Sequence, residues 1–227
     1  MIHFGDLPGK ENSELLPADE YKDIKSQGGI SKVEAKDFWN DVFEDESGLL
    51  ENELSEEELL SEIFGRNEDE FDFEFEIDKN VREILDEFEE GKWNNLDGLE
   101  QKDLIKELAT TISEKLELDE KPEFTFYDGP ENSYGAYNPG CNSVEINSKN
   151  FQNPKEVIDT VAHELRHAYQ YQRADKLETM EDMLYKVNLD NYISPISLEN
   201  GKYLFFTDYQ DQLVEAEARA FANLFRN

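Results

Sequence analysis

The stretch that most limits what this chain can fold into is Asn153-Pro154-Lys155-Glu156, followed by Val157, Ile158, Val161, Ala162 and Leu165. Asn is a good N-cap, Pro suits the first helical position, and Glu at N3 completes a capping box. The apolar residues behind it recur at helical spacing, so the sequence predicts a helix with one apolar face. That helix contains His163-Glu164-Leu165-Arg166-His167, an H-E-x-x-H run. Residues i and i+4 share one face of a helix, about one turn apart. Two imidazoles so placed can share one small cation, and Glu164 can reach a water bound to it.

The chain has 227 residues, 37% of them hydrophobic and 12% aromatic, enough for one sizeable domain or a small domain with an appendage. Its formal net charge is −33. Charge of that size repels phosphate backbones and anionic membrane surfaces, so neither nucleic acid nor membrane is expected as a partner. A protein or peptide substrate, particularly a basic one, is the expected partner, and the sequence sets no oligomeric state. One cysteine, Cys141, rules out a disulfide within the chain. It lies in an Asn-Pro-Gly-Cys-Asn loop, where a thiol can be a metal ligand or simply a loop residue. The first residues, Met1-Ile2-His3-Phe4-Gly5-Asp6, carry no basic-then-apolar signal, and no run approaches the ~20 apolar residues of a membrane span. The expected location is cytoplasmic, or outside the cell by a route independent of a signal peptide.

The charge is unevenly spread. Residues 41–100 hold 24 acids against 4 bases, a net of −20, whereas residues 151–227 hold 13 acids against 8 bases. With Asn-Asn-Leu-Asp-Gly at 94–98 read as a turn, the chain divides into an acidic, mainly helical region, 1–98, and a second domain, 99–227. The first region opens with loop signals at Pro8, Pro17 and Gly28-Gly29. A capping box at Ser31–Glu34 introduces a short helix through Phe38, Trp39, Val42 and Phe43, and another helix starts at Ser55 with Leu59, Leu60, Ile63 and Phe64. Phe71–Ile77 alternates apolar and acidic residues, a strand pattern, and a helix follows from Lys79 to Glu89. The acidic stretches read as solvated faces.

The second domain is predicted as a helix at 101–116, strands at 123–127, 135–137 and 143–147, the H-E-x-x-H helix, a polar irregular stretch, and a last helix from Thr207 to Phe225. A catalytic zinc site needs a third protein ligand. His3 is far away in sequence, so an acid from the last helix is required. Leu213-Val214-Glu215-Ala216-Glu217-Ala218 offers two, and a helical wheel permits Glu217, which falls inside the apolar arc, as well as Glu215 at its edge.

Residues 100–227 resemble the minigluzincin group, the ImmA/IrrE-like metallopeptidases. Gly135-Ala136-Tyr137, Val144-Glu145-Ile146-Asn147 and Ala162-His163-Glu164 match that group's run into its motif. Glu215, Ala218, Phe221 and Ala222 match its E-x-x-A-x-x-F-A helix. Arg219 departs from the Asn or Asp often found there, and Arg166 places a charge inside H-E-x-x-H. The resemblance implies an α+β fold: a zincin-like core with a backing helix, a small sheet, the H-E-x-x-H helix and a C-terminal glutamate-bearing helix. It implies zinc held by His163, His167 and, rather than Glu217, Glu215. Glu164 would then be the catalytic base of a peptide-bond hydrolase. An extended substrate would add to the sheet at 143–147, with Tyr169, Tyr171, Tyr203 or Tyr209 as oxyanion donor. The competing readings are an acidic binding or inhibitor protein with a structural metal site, and an inactive zincin used for recognition.

Overall fold

The computed structural model describes residues 66–130, 132–194, 196–197, 203–204 and 206–226. The expected loop at Pro8–Gly29, the helices from Ser31 and Ser55, and His3 lie outside the described residues. Among the described residues the fold is α+β, with seven α-helices, a three-stranded mixed sheet and a two-stranded ladder. No described helix is long and apolar enough to cross a membrane. The chain divides into two compact units, one containing Asn67–Lys176 and Glu217–Asn227, the other containing Leu177–Ala216.

In the first unit, α1 (Lys79–Glu87) starts where the Asp78 carboxylate accepts the Val81 N–H at 3.0 Å. The short α2 (Glu90–Trp93) ends on Trp93, whose indole donates to the Phe151 carbonyl at 2.6 Å and stacks on Phe88. Helix α3 (Gly98–Lys115) begins earlier than its apolar spacing predicts. Asp97 and Glu100 form a capping box, so the Asp-Gly read as a turn is the helix start itself. Its inner face, Ile105, Leu108, Ala109 and Ile112, is buried and packs toward α4 (Pro154–Lys176).

Strands β1 (Glu123–Tyr127), β2 (Gly135–Asn138) and β3 (Ser143–Asn147) form the sheet in the order β1-β3-β2. β3 pairs parallel with β1 and antiparallel with β2. The expectation of an added substrate strand at 143–147 is therefore corrected. Val144 and Ile146 bury β3 in the core, and both of its edges are already hydrogen-bonded. β2 lies close against α4: a Cβ at Gly135 would come within 2.7 Å of Thr160 Cγ2 and 2.8 Å of the Glu145 carbonyl oxygen.

Helix α4 is the centre of this unit. Every residue from Val157 to Ala168 is buried, charged ones included. A helix covered all round is ordinarily apolar all round. Here Asp159, His163, Glu164, Arg166 and His167 must instead find partners inside the protein.

Phe71–Ile77 is not a strand. It is irregular chain with a bend at Glu74, after a 3₁₀ turn at Glu68–Glu70, and has no sheet partner among the described residues. Its alternation still sorts its sides, since the acids are exposed and Phe71, Phe73, Phe75 and Ile77 are half-buried. The Phe73 and Phe75 rings lie 5.4 and 5.0 Å from Phe221, and Phe75 lies 5.4 Å from Phe225. Period-two patterning demands an apolar face on one side, and a helix supplies that face as well as a sheet does.

The second unit corrects two expectations. The stretch after α4 contains α5 (Met180–Asp190), started by a capping box between Thr179 and Asp182. It is followed by a short antiparallel ladder of β4 (Ile196–Ser197) and β5 (Tyr203–Leu204). The expected single last helix is two, α6 (Phe206–Asp211) and α7 (Leu213–Asn223), interrupted at Gln212. The buried Gln212 side chain explains the break. Its amide donates to the Ile193 carbonyl at 2.9 Å, and its carbonyl accepts from Ile193 N–H and Asn188 Nδ2, both at 3.2 Å. Asn188 in turn accepts the Val214 N–H at 2.9 Å, capping α7. Helix α7 carries residues of both units, the division falling after Ala216.

Candidate metal centre

His163 and His167 stand one turn apart on α4, where the motif predicts them. Their Nε2 atoms are 3.0 Å apart. Two ligands on one tetrahedral zinc, each at ~2.05 Å, stand about 3.3 Å from one another, so a few tenths of an ångström separate this geometry from shared coordination. Glu215, near the start of α7, completes the group. The ligand atoms of His163, His167 and Glu215 all lie within 4.8 Å of one another, and all three residues are buried. Two imidazole nitrogens and a carboxylate oxygen are a donor set that suits zinc and leaves a fourth position for water. The group could hold a metal ion.

The two glutamates differ in their neighbours. Glu217 is as buried as Glu215, both at 2% exposure. Its Oε1 accepts from the Arg166 guanidinium, and its Oε2 accepts from Gln170 Nε2 at 2.7 Å. Burying a carboxylate is costly unless it is paired, and this one is paired twice. The Arg166 guanidinium also lies over the rings of Tyr169, Phe73 and Phe221, at 4.2, 5.0 and 5.5 Å from their centroids. The charge inside H-E-x-x-H thus has a packed, ion-paired berth. Arg219 pairs with Glu68 at 2.8 Å.

Glu215 keeps different company. The Tyr192 hydroxyl donates to its Oε1. Burial first, and then the Glu215 charge, push the Tyr192 phenol far above its ordinary value, so it remains a donor. Sequence reasoning did not single out Tyr192, Gln170 or the pairing of Arg166 with Glu217. For Gln170 a signal was present, because position i+3 from His167 lies on the same helix face. Tyr192 sits in a loop after α5, a helix that the sequence reading passed over.

Glu164 is buried, and its Oε2 accepts the Tyr137 N–H from β2 at 2.7 Å. The sheet therefore orients this carboxylate. The Tyr137 phenol donates to Asn142 Oδ1 at 3.1 Å and is pushed up to about 12, chiefly by burial and then by Tyr171, whose ring centroid is 5.6 Å away. Of the four tyrosines considered as oxyanion donors, Tyr169 packs under Arg166, Tyr171 pairs with Tyr137, and Tyr209 is buried with its ring centroid 6.1 Å from that of Tyr192. Tyr203 lies in β5. Cys141 is exposed in the β2–β3 turn, with its thiol 3.0 Å from the Ser143 hydroxyl.

Compared with protein-family models, with curated proteins and with solved structures, the chain matches none.

Proposed function

We propose that the chain is a zinc-dependent endopeptidase of the minigluzincin kind. The reading rests on one observation above the rest: two imidazoles from α4 and one carboxylate from α7 bring their ligand atoms within 4.8 Å of one another. His163, His167 and Glu215 would hold the ion. A bound zinc supplies Lewis acidity and lowers the pKa of a coordinated water from ~15.7 towards ~7.

The remaining chemistry belongs to the chain. Glu164 adjoins His163 in sequence, too near to serve as a further ligand, and its carboxylate is held by the Tyr137 N–H. It is the proton carrier: it takes a proton from the attacking water and delivers it to the leaving amine, work that contributes roughly 10²–10⁴-fold to rate. With β3 central, an extended substrate is assigned to β2, the edge strand whose backbone touches Glu164. The net charge of −33 favours a basic protein or peptide as that substrate.

The test is paired. The purified chain should contain about one zinc per molecule and cleave members of an unbiased peptide library. Glu164→Gln should keep the zinc and lose cleavage by the factor above. Undiminished cleavage by that variant refutes the assigned role. Zinc without any cleavage by the native chain points instead to a zincin used for recognition.

A further inference from the structure

The buried polar groups around His167 form a directed chain. Glu217 Oε1 accepts from Arg166, and Glu217 Oε2 accepts from Gln170 Nε2 at 2.7 Å. A carboxylate only accepts, so the Gln170 NH₂ must face it, which leaves Gln170 Oε1 facing the imidazole. Gln170 Oε1 lies 2.9 Å from His167 Nδ1. That oxygen can only accept, so Nδ1 carries the proton and Nε2 carries the lone pair. His167 Nε2 is the atom 3.0 Å from His163 Nε2.

We propose that Arg166, Glu217 and Gln170 form a buried relay that fixes His167 as its Nδ1–H tautomer and presents Nε2 as a preset metal ligand. This rests on the metal reading above and adds three positioning residues to it. A ligating histidine usually donates its other N–H to an oxygen that orients the ring and raises its basicity. Here that oxygen belongs to an amide, and the amide passes on the negative charge of Glu217. The guanidinium compensates that charge, which explains why a cation stands inside H-E-x-x-H. The relay also explains how two buried glutamates two residues apart on α7 do different work: Glu217 orients a ligand, and Glu215 is one.

The experiment uses the full chain, selectively labelled with ¹⁵N-histidine, and zinc competition against a chromophoric chelator. Long-range ¹H–¹⁵N spectra of the metal-free protein should show His167 protonated at Nδ1. Gln170→Leu, which preserves bulk and removes the acceptor, should weaken zinc binding roughly 10–100-fold and let the Nε2–H tautomer appear. The exchange variant Gln170→Glu/Glu217→Gln keeps an acceptor for His167 Nδ1–H and another for Arg166, reverses the hydrogen bond between residues 170 and 217, and places the carboxylate one step nearer His167. It should return zinc affinity to within about threefold of the native value, a recovery that packing alone would not produce. Native-like affinity in Gln170→Leu overturns the relay, and so does failure of the exchange variant to recover. A native His167 protonated at Nε2 overturns it as well, and that measurement needs no variant to fold. A native chain that takes up no zinc defeats the metal reading, and the tautomer then decides the relay alone.

Discussion

Glu215 and Glu217 lie two residues apart on one helix, equally buried, yet their surroundings differ in kind. Glu217 is ion-paired with a guanidinium and hydrogen-bonded to an amide. Glu215 is held by a neutral phenol and grouped with two imidazole nitrogens. A guanidinium compensates a carboxylate permanently, because it does not deprotonate at any physiological pH. A phenol orients a carboxylate and leaves its charge in place. The difference teaches that burial alone does not identify a ligand; the identity of the partners does. It also shows why a helix as buried as α4 can carry so many charged side chains: the second glutamate sustains the motif's own arginine.

The contrast can be broken most forcefully at Glu217. Glu217→Ala strands a buried guanidinium and should destabilise the fold by about 3–5 kcal/mol, read as a lowered denaturant midpoint; a double change of Arg166→Met with Glu217→Leu should recover most of that loss. Glu215→Ala should do the reverse. Its midpoint should fall less, by about the 1.5–3 kcal/mol of the lost Tyr192 hydrogen bond, while zinc affinity should fall by more than the roughly 100-fold typical of losing an outer partner. Tyr192→Phe removes one hydrogen bond to a charged group, about 1.5–3 kcal/mol, and should weaken zinc binding about tenfold without changing stoichiometry.

The smallest effect belongs to the half-exposed pair Asp78–Lys115. Lys115 and then the Val81 N–H hold the Asp78 carboxyl below its ordinary value. A depressed carboxyl pKa stabilises the fold above the unfolded value of ~3.9 and ceases to do so as pH falls through the folded value. Asp78→Asn should therefore shift the unfolding midpoint slightly at pH 7 and not at all near pH 2. A shift as large as that of Glu217→Ala would erase the distinction between half-exposed and buried pairs.

Much of the fold that frames the site follows from local chemistry that the sequence displays. Asn153-Pro154 starts α4, strict apolar spacing marks α3, and short β-rich runs mark the three strands. The misreadings have physical causes. Phe71–Ile77 obeys the period of a strand because its phenylalanines pack on α7 from one side, and periodicity does not disclose what lies opposite. The start of α5 was written in Thr179 and Asp182, and Met180, Met183, Leu184 and Val187 stand at helical spacing behind it, a signal that the reading of a polar, irregular stretch overlooked. The α6–α7 break arises from a buried Gln212 whose partners, Asn188 and Ile193, are distant in sequence. His163, Glu164 and His167 were legible because one helix fixes their spacing. The different surroundings of Glu215 and Glu217 were not, because a helical wheel gives direction without naming what each side chain meets.

The most direct test is the zinc content of three proteins measured side by side after identical dialysis: the native chain, Glu215→Ala and Glu217→Gln. The account predicts one zinc per chain in the native protein, none in Glu215→Ala, and one, more weakly held, in Glu217→Gln. Zinc retained by Glu215→Ala and lost from Glu217→Gln would contradict it.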